Sequence, residues 1–494
     1  MRFQRKITPG VMAFMLVVSG IVYSSPSAEA ASSYKPLQNS VTNILSDNRL
    51  KGSIHSVSIK NAATGEKVFE KNANQEITPA STLKILTASA ALETLGENYR
   101  FRTDVLTNGQ VTNGVLKGNL YLRGQGDPTL LKKDFDTFAS VLAKRGVKKI
   151  AGNLVGDDSW YDADRLSPGI HKEDESYYYA AQISALTLSP NADYDAGSVI
   201  IEAKASTSGK PAKVTMSPNT SVLQFVNRSK TVAKGSANTL KIEREHGTKK
   251  VIITGNAPIG SSGKKEWITV SNPTAYAVDV FKKSLAEKGI TFAAPGKVVY
   301  AKTPSSARIL LTKKSMTVKE LMIPFLKLSN NTHAEMLAKE MGRVKYGEGS
   351  WKAGLRVIRE YGQSVGLDMS KWKFEDASGM SHANKVSSNE LSKLLFHVRS
   401  EPWYKSFLKG LPVAGANDRF VGGTLRQRMT TGAAKNNVQA KTGSLNNVSS
   451  LSGYVKTKDG EWLIYTMLTQ NTKSNTVSVI DKVATAIANS KKSR

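Results

Sequence analysis

The chain has 494 residues, 40% of them hydrophobic, enough for sizeable cores and too many for a mainly disordered protein. It carries 69 Lys and Arg against 40 Asp and Glu, a formal net charge of +29, and no cysteine. Disulfide scaffolds, thiol nucleophiles and cysteine-based metal sites are therefore excluded, and six scattered histidines without a His-Glu-x-x-His cluster argue against a zinc peptidase.

Residues 1–30 read as a secretory signal. Arg2, Arg5 and Lys6 form a basic start, Val11 to Tyr23 is a mostly apolar run, and Ala28-Glu29-Ala30 is a small-x-small cleavage site. The apolar run is shorter than the roughly 20 residues that span a bilayer. Export across a bacterial cytoplasmic membrane argues against nucleic acid as a partner. It turns the basic charge toward an anionic wall polymer or membrane surface, with a solvated, solubilising surface as the equal alternative.

Ser53 to Glu70 alternates apolar and polar residues around Ala62-Thr64-Gly65 and is expected to form a strand hairpin. Thr78 is placed as a cap and Pro79 at the first position of a helix reaching Leu95, apolar nearly all round and hence buried. Asn108-Gly109 and Asn113-Gly114 mark tight hairpin turns, and Asp134 to Arg145 reads as a helix. Between about 195 and 267 short strand-like runs alternate with Gly, Pro, Ser and Asn clusters, the pattern of a small all-β unit. Ala275 to Lys288 returns to helix, and helical segments follow over Met316–Leu328, Thr332–Tyr346, Trp351–Tyr361 and Ser388–Val398. Three strands, Val438–Ser444, Ser450–Lys456 and Trp462–Leu468, precede a last helix over Asn475–Ala488 with Ile480, Val483, Ala484 and Ile487 on one face. The two ends read as one α+β unit and the middle as two insertions.

Three short motifs carry chemistry. Ser81 and Lys84 stand at i and i+3, so they share a helix face. A serine needs an adjacent base to become a nucleophile, and a lysine serves if burial lowers its pKa. Ser-x-x-Lys recurs elsewhere in the chain, but only this copy opens a strongly apolar helix; the bland alternative is a capping serine and a snorkelling lysine. Lys441-Thr442-Gly443-Ser444 falls on a strand, where glycine permits close approach of a ligand backbone and the lysine and hydroxyls suit a carboxylate. Alone it reads more readily as an edge strand guarded by lysine than as a binding motif. Ser329-Asn330-Asn331 joins two helices, and in isolation means no more than a helix cap.

Order and setting say more than any single motif. Ser-x-x-Lys on a buried helix, Ser-x-Asn in an all-helical part and Lys-Thr-Gly on a strand before the terminal helix resemble the arrangement in penicillin-binding proteins and serine β-lactamases. Roughly 250 residues separate the first two motif serines. With Gly124-Gln125-Gly126-Asp127-Pro128, residues 181–186, His333-Ala334-Glu335-Met336-Leu337, residues 411–415 and Gly422-Gly423-Thr424-Leu425, that spacing is similar to the class C low-molecular-mass penicillin-binding proteins, closest to the bacillar type.

The resemblance implies an α+β fold with a transpeptidase-like catalytic domain (31–102 and 314–494), an inserted α/β domain (103–187 and 268–313) and an inserted β-rich domain (188–267). It implies a serine D-alanyl-D-alanine carboxypeptidase, with endopeptidase action on peptidoglycan cross-links left open, stem peptides as substrate, β-lactams as inhibitors, and neither cofactor nor metal. Ser81 would be the nucleophile, Lys84 its base, Ser329 a proton relay and Asn331 a substrate holder. Lys441, Thr442 and Ser444 would grip the terminal carboxylate beside Gly443. A subsite for the free end of the third stem residue would be built from Asp174 and Tyr179, with Met380 and Leu445 as apolar contacts. His382 stands where some relatives carry arginine and His171 where some carry tryptophan. A β-lactamase and a non-catalytic wall-binding protein remain as rival readings, told apart by whether a β-lactam is turned over, retained or ignored.

Overall fold

The computed structural model describes residues 34–493; the signal reading over residues 1–30 lies outside them. Strand Trp462–Gln470 shows how the first core forms. Its side chains alternate, so Leu463, Tyr465 and Met467 enter one apolar cluster while Ile464 and Leu468 enter another on the opposite face. It lies at the centre of a five-stranded antiparallel sheet in the order Lys67–Lys71, Ile54–Asn61, Trp462–Gln470, Val448–Lys456, Gln439–Leu445. The expected hairpin and the three C-terminal strands are thus one sheet built from both ends of the chain. Helices Lys35–Ile44, which the sequence reading passed over, and Val477–Asn489 cover one face. Lys84–Leu95, Asn331–Tyr346, Trp351–Ser364 and Ser388–Val398 cover the other.

Between Leu95 and Val318 the chain builds a separate body. A five-stranded sheet runs Val298–Tyr300, Leu154–Asp157, Leu120–Gln125, Arg102–Thr107, Arg308–Lys314, packed against helices Lys132–Lys144 and Pro273–Glu287. Smaller sheets follow, including Lys213–Ser217, Ser198–Lys204 and Lys264–Thr269, and the mixed trio Gln224–Asn227, Lys250–Thr254 and Lys241–Arg244. Their inward residues Val199, Ile201, Ile242 and Val251 join the same apolar cluster as Leu122, Phe135 and Phe281, so the β-rich and α/β segments share one core.

Two local expectations need correction. Thr78 caps nothing: its hydroxyl meets the His382 carbonyl and the Lys385 ammonium. Residues Ala80–Leu83 form a 3₁₀ turn, and the α-helix starts at Lys84, because Ala80 sits at φ +49° and cannot belong to a regular first turn. The segment expected as one helix over 316–328 is a short α-helix, Val318–Met322, that widens into a π-helical turn over Ile323–Lys327. Pro324 sits in that turn, where its missing N–H and its ring bar an ordinary α bond.

Candidate active site

The 3₁₀ turn and the helix after it aim Ser81 and Lys84 at one point. Lys84 is fully buried, with its Nζ 2.8 Å from Ser81 Oγ, 2.6 Å from Asn331 Oδ1 and 2.6 Å from the Ser378 carbonyl oxygen. Burial, against the pull of Asp376 and Glu335, brings the amine down to about 7. Asn331 donates its Nδ2 to the Tyr179 carbonyl at 2.8 Å, which fixes its Oδ1 toward the lysine. Two of Lys84's three partners are therefore pure acceptors. A neutral amine has two N–H bonds to give them, and its lone pair is left facing the Ser81 hydroxyl.

Ser329 comes from the loop between the π-helical turn and helix Asn331–Tyr346. Asn330, the middle residue of the motif, caps that helix by accepting from the His333 N–H at 3.0 Å. The next residue, Asn331, points back to Lys84, and Ser329, at φ +59°, takes a hydrogen bond from Lys441 Nζ at 2.7 Å. Lys441 is buried too, and both burial and the neighbouring Lys84 hold it well below its ordinary value.

Strand Gln439–Leu445 is the sheet edge and lies directly on the Ser81 turn. A Cβ at Gly443 would fall 2.2 Å from Ser450 Oγ, 2.8 Å from the Pro79 oxygen and 3.0 Å from Ser81 N, so only glycine fits. Thr442 meets the Thr424 hydroxyl at 2.7 Å.

These groups border a cavity of about 710 Å³. Ser81, Ser329, Asn331, Thr442, Ser444 and Leu445 line one side with Met380, and Lys84, Lys441 and Gly443 lie beneath it. The inserted body supplies the other side with His171, Glu173, Asp174, Tyr178 and Tyr179. Tyr179 donates its hydroxyl to Asp174 at 2.9 Å and stacks on Tyr177 with centroids 5.7 Å apart, while the His171 and His382 rings meet at 6.1 Å on the lip. The structure thus gathers every residue singled out from the sequence. It also brings in Glu173 and Tyr178 on the cavity wall, the hydroxyl of Thr424, a residue named before only as part of a resembling segment, the Ser378 carbonyl, and the buried Asp376 below it. Among the described residues no cluster of His, Asp and Glu with metal-binding geometry occurs.

Comparison with known proteins follows the same lines. Residues 37–490 match the D-Ala-D-Ala carboxypeptidase 3 (S13) family. The chain belongs to this family. It is a serine-type carboxypeptidase of the low-molecular-mass penicillin-binding class. A D-alanyl-D-alanine carboxypeptidase of Actinomadura sp. (strain R39) is 37% identical over 455 residues, covering 92% of this chain and 84% of its own. Penicillin binding protein 4 from Haemophilus influenzae shares the fold, with a TM-score of 0.77 at 24% identity over 90% of this chain and 97% of its own. The same protein complexed with a β-lactam superposes with a TM-score of 0.70 at the same identity and coverage.

Proposed function

We propose that this enzyme hydrolyses the D-alanyl-D-alanine end of peptidoglycan stem peptides through an acyl-enzyme on Ser81. The observation that carries the reading is the Lys84 amine, buried, low in pKa and 2.8 Å from Ser81 Oγ. Ser81 Oγ attacks the carbonyl carbon between the two D-alanines while its proton passes to Lys84 Nζ. The oxyanion that forms is held by the backbone N–H groups of Ser81 and Ser444, a preorganised donor pair of the kind worth about 3 kcal/mol per donor. The C–N bond then breaks as the proton taken up by Lys84 passes through the Ser329 hydroxyl, which Lys441 orients, to the leaving nitrogen, and Lys84 is neutral again. D-alanine leaves, and water, deprotonated at the same lysine, cleaves the ester. Lys441, Thr442 and Ser444 hold the terminal carboxylate, whose own negative charge favours a proton on the buried Lys441 amine, and Asn331 holds the substrate backbone.

Asp174 and Tyr179 take the cationic free end of the third stem residue, with Met380 and Leu445 against its methylenes. A cross-link between two stems presents the same acyl group with a larger amine, so endopeptidase action uses the same steps. β-Lactams acylate Ser81 in place of the substrate. Residues 1–30 direct export across the cytoplasmic membrane, which places the enzyme at the cell wall or the external face of that membrane. There the strongly basic charge that remains on residues 31–494 favours anionic polymers. No helix of the described residues is long and apolar enough to cross a membrane.

The test is the intact mass of the protein after incubation with benzylpenicillin, beside Ser81→Ala. A lasting single adduct on the wild type alone is expected. Drug consumed without an adduct would make it a β-lactamase, and an adduct on Ser81→Ala would move the nucleophile elsewhere.

A further inference from the structure

Two carboxylates that the reaction does not use lie under the base. Glu335, on helix Asn331–Tyr346, and Asp376, in the loop after Trp372, are 2% and 0% exposed. Glu335 accepts the backbone N–H of Ser378 at 2.9 Å, that of Ala377 at 3.2 Å, and the Trp351 indole at 2.7 Å. Asp376 accepts the N–H groups of Gly379 at 2.8 Å and Ser381 at 2.7 Å, and Asn384 Nδ2 at 2.8 Å. Thr87, one helical turn beyond Lys84, takes the Ala377 carbonyl at 2.7 Å. With its N–H groups turned into these carboxylates, the 377–379 turn presents the Ser378 carbonyl to Lys84, which donates to it. The turn is seated so closely that a Cβ at Gly379 would lie 2.0 Å from the Ala80 oxygen.

We infer that Glu335 and Asp376 are positioning residues for the catalytic base, holding the Ser378 carbonyl where it draws one N–H of Lys84 away from Ser81. The inference rests on Lys84 being that base. Lys84 is faced by both carboxyls and by Lys441, and Glu335 in turn by Lys339. Lys339 lies over the Trp351 ring at 3.8 Å and pairs with Asp162 of the inserted body at 2.5 Å. Burial pushes both carboxyls up, Glu335 to about 7, so each raises the proton affinity of Lys84 only in its ionised form.

Glu335→Gln and Asp376→Asn each remove charge at nearly constant volume and put an amide N–H where acceptors are needed. The experiment measures second-order acylation by benzylpenicillin in the full chain from about pH 5 to about pH 9, per active site titrated. The expected result is a loss of about tenfold or more at the plateau and an acid limb moved to lower pH by about half a unit or more. The limb moves down to the extent that the replaced carboxyl is ionised there, because removing its negative charge weakens the lysine's hold on its proton. Rates within about twofold of wild type, or a loss with an unmoved limb in the variant that folds, would overturn the inference. If instead Lys84→Ala still acylates at the wild-type rate, the base assignment fails rather than the positioning.

Discussion

A lysine can take a proton from serine only while it is itself neutral, so the whole reaction turns on the state of one amine. Lys84 reaches that state because its fully buried charge cannot be solvated, and the carboxyls nearby only partly offset this. Below about pH 7 the amine is protonated and its lone pair is gone; above it the lone pair is free. Acylation by benzylpenicillin is therefore expected to rise about tenfold per pH unit on the acid side and to level off above neutrality. A limb lying near the free-lysine value of about 10.4 would show that burial does not tune the base. At this scale the sequence was highly legible: serine, lysine, asparagine and threonine announce themselves by type and spacing. Its silence is equally instructive. Ser378 acts through its carbonyl, which every residue has, and Glu335 and Asp376 meet only because distant segments fold onto each other. The hints available were that Glu335 falls in the 333–337 segment of the resemblance and on a helix that is buried over most of its length.

Elements meet at the site more tightly than ordinary packing allows. The edge strand touches the Ser81 turn through Gly443, the 377–379 turn touches it through Gly379, and Ala80 and Ser329 both hold positive φ beside their motif groups. Left-handed backbone at a residue with a side chain costs about 1–3 kcal/mol, a cost that such residues bear where the backbone must aim a side chain. Gly443→Ala tests the strand contact. Its methyl would press on Ser450 Oγ, itself bonded to the Pro79 oxygen at 2.7 Å, and on the Ser81 backbone. Overpacking of this kind costs about 1–3 kcal/mol. We expect acylation to fall by about tenfold or more, because a reacting group displaced by about 1 Å loses far more rate than stability. Activity within about twofold of wild type would mean the strand shifts without moving Ser81. Periodicity located these elements well, since strand alternation and apolar helix faces are local. It missed the 3₁₀ start, whose Ala80 sits at positive φ against the 377–379 turn nearly three hundred residues away, and the π turn, although Pro324 stood in the sequence as a sign that the helix could not run on unbroken.

At the scale of the whole molecule, the cleft exists only because the inserted body returns to the catalytic one. Helix Asn331–Tyr346 carries the joint. Glu340 accepts from Trp160 at 3.0 Å and Tyr161 at 2.8 Å in the insertion and from Tyr99 in the linker, and Lys339 pairs with Asp162. That joint fixes the Tyr179 carbonyl against Asn331, so the same backbone that orients the catalytic amide also presents Tyr179 and Asp174 to the cavity. Under the proposed reading the insertion would read substrate while the catalytic body performs the chemistry. Asp174→Ala separates the two. It leaves Lys84, Ser329 and Lys441 untouched, and removes a carboxylate that would meet the ammonium at the free end of the third stem residue. A charge-assisted hydrogen bond is worth about 1.5–3 kcal/mol, so kcat/KM on peptides carrying that ammonium should fall by about 10–100-fold. On peptides whose third residue ends in a neutral group, and in acylation by benzylpenicillin, the variant should stay within about twofold of wild type. Equal losses on both peptide classes would mean that Asp174 supports the loop through Tyr179 rather than binding substrate, and the specificity of the cleft would have to come from another wall.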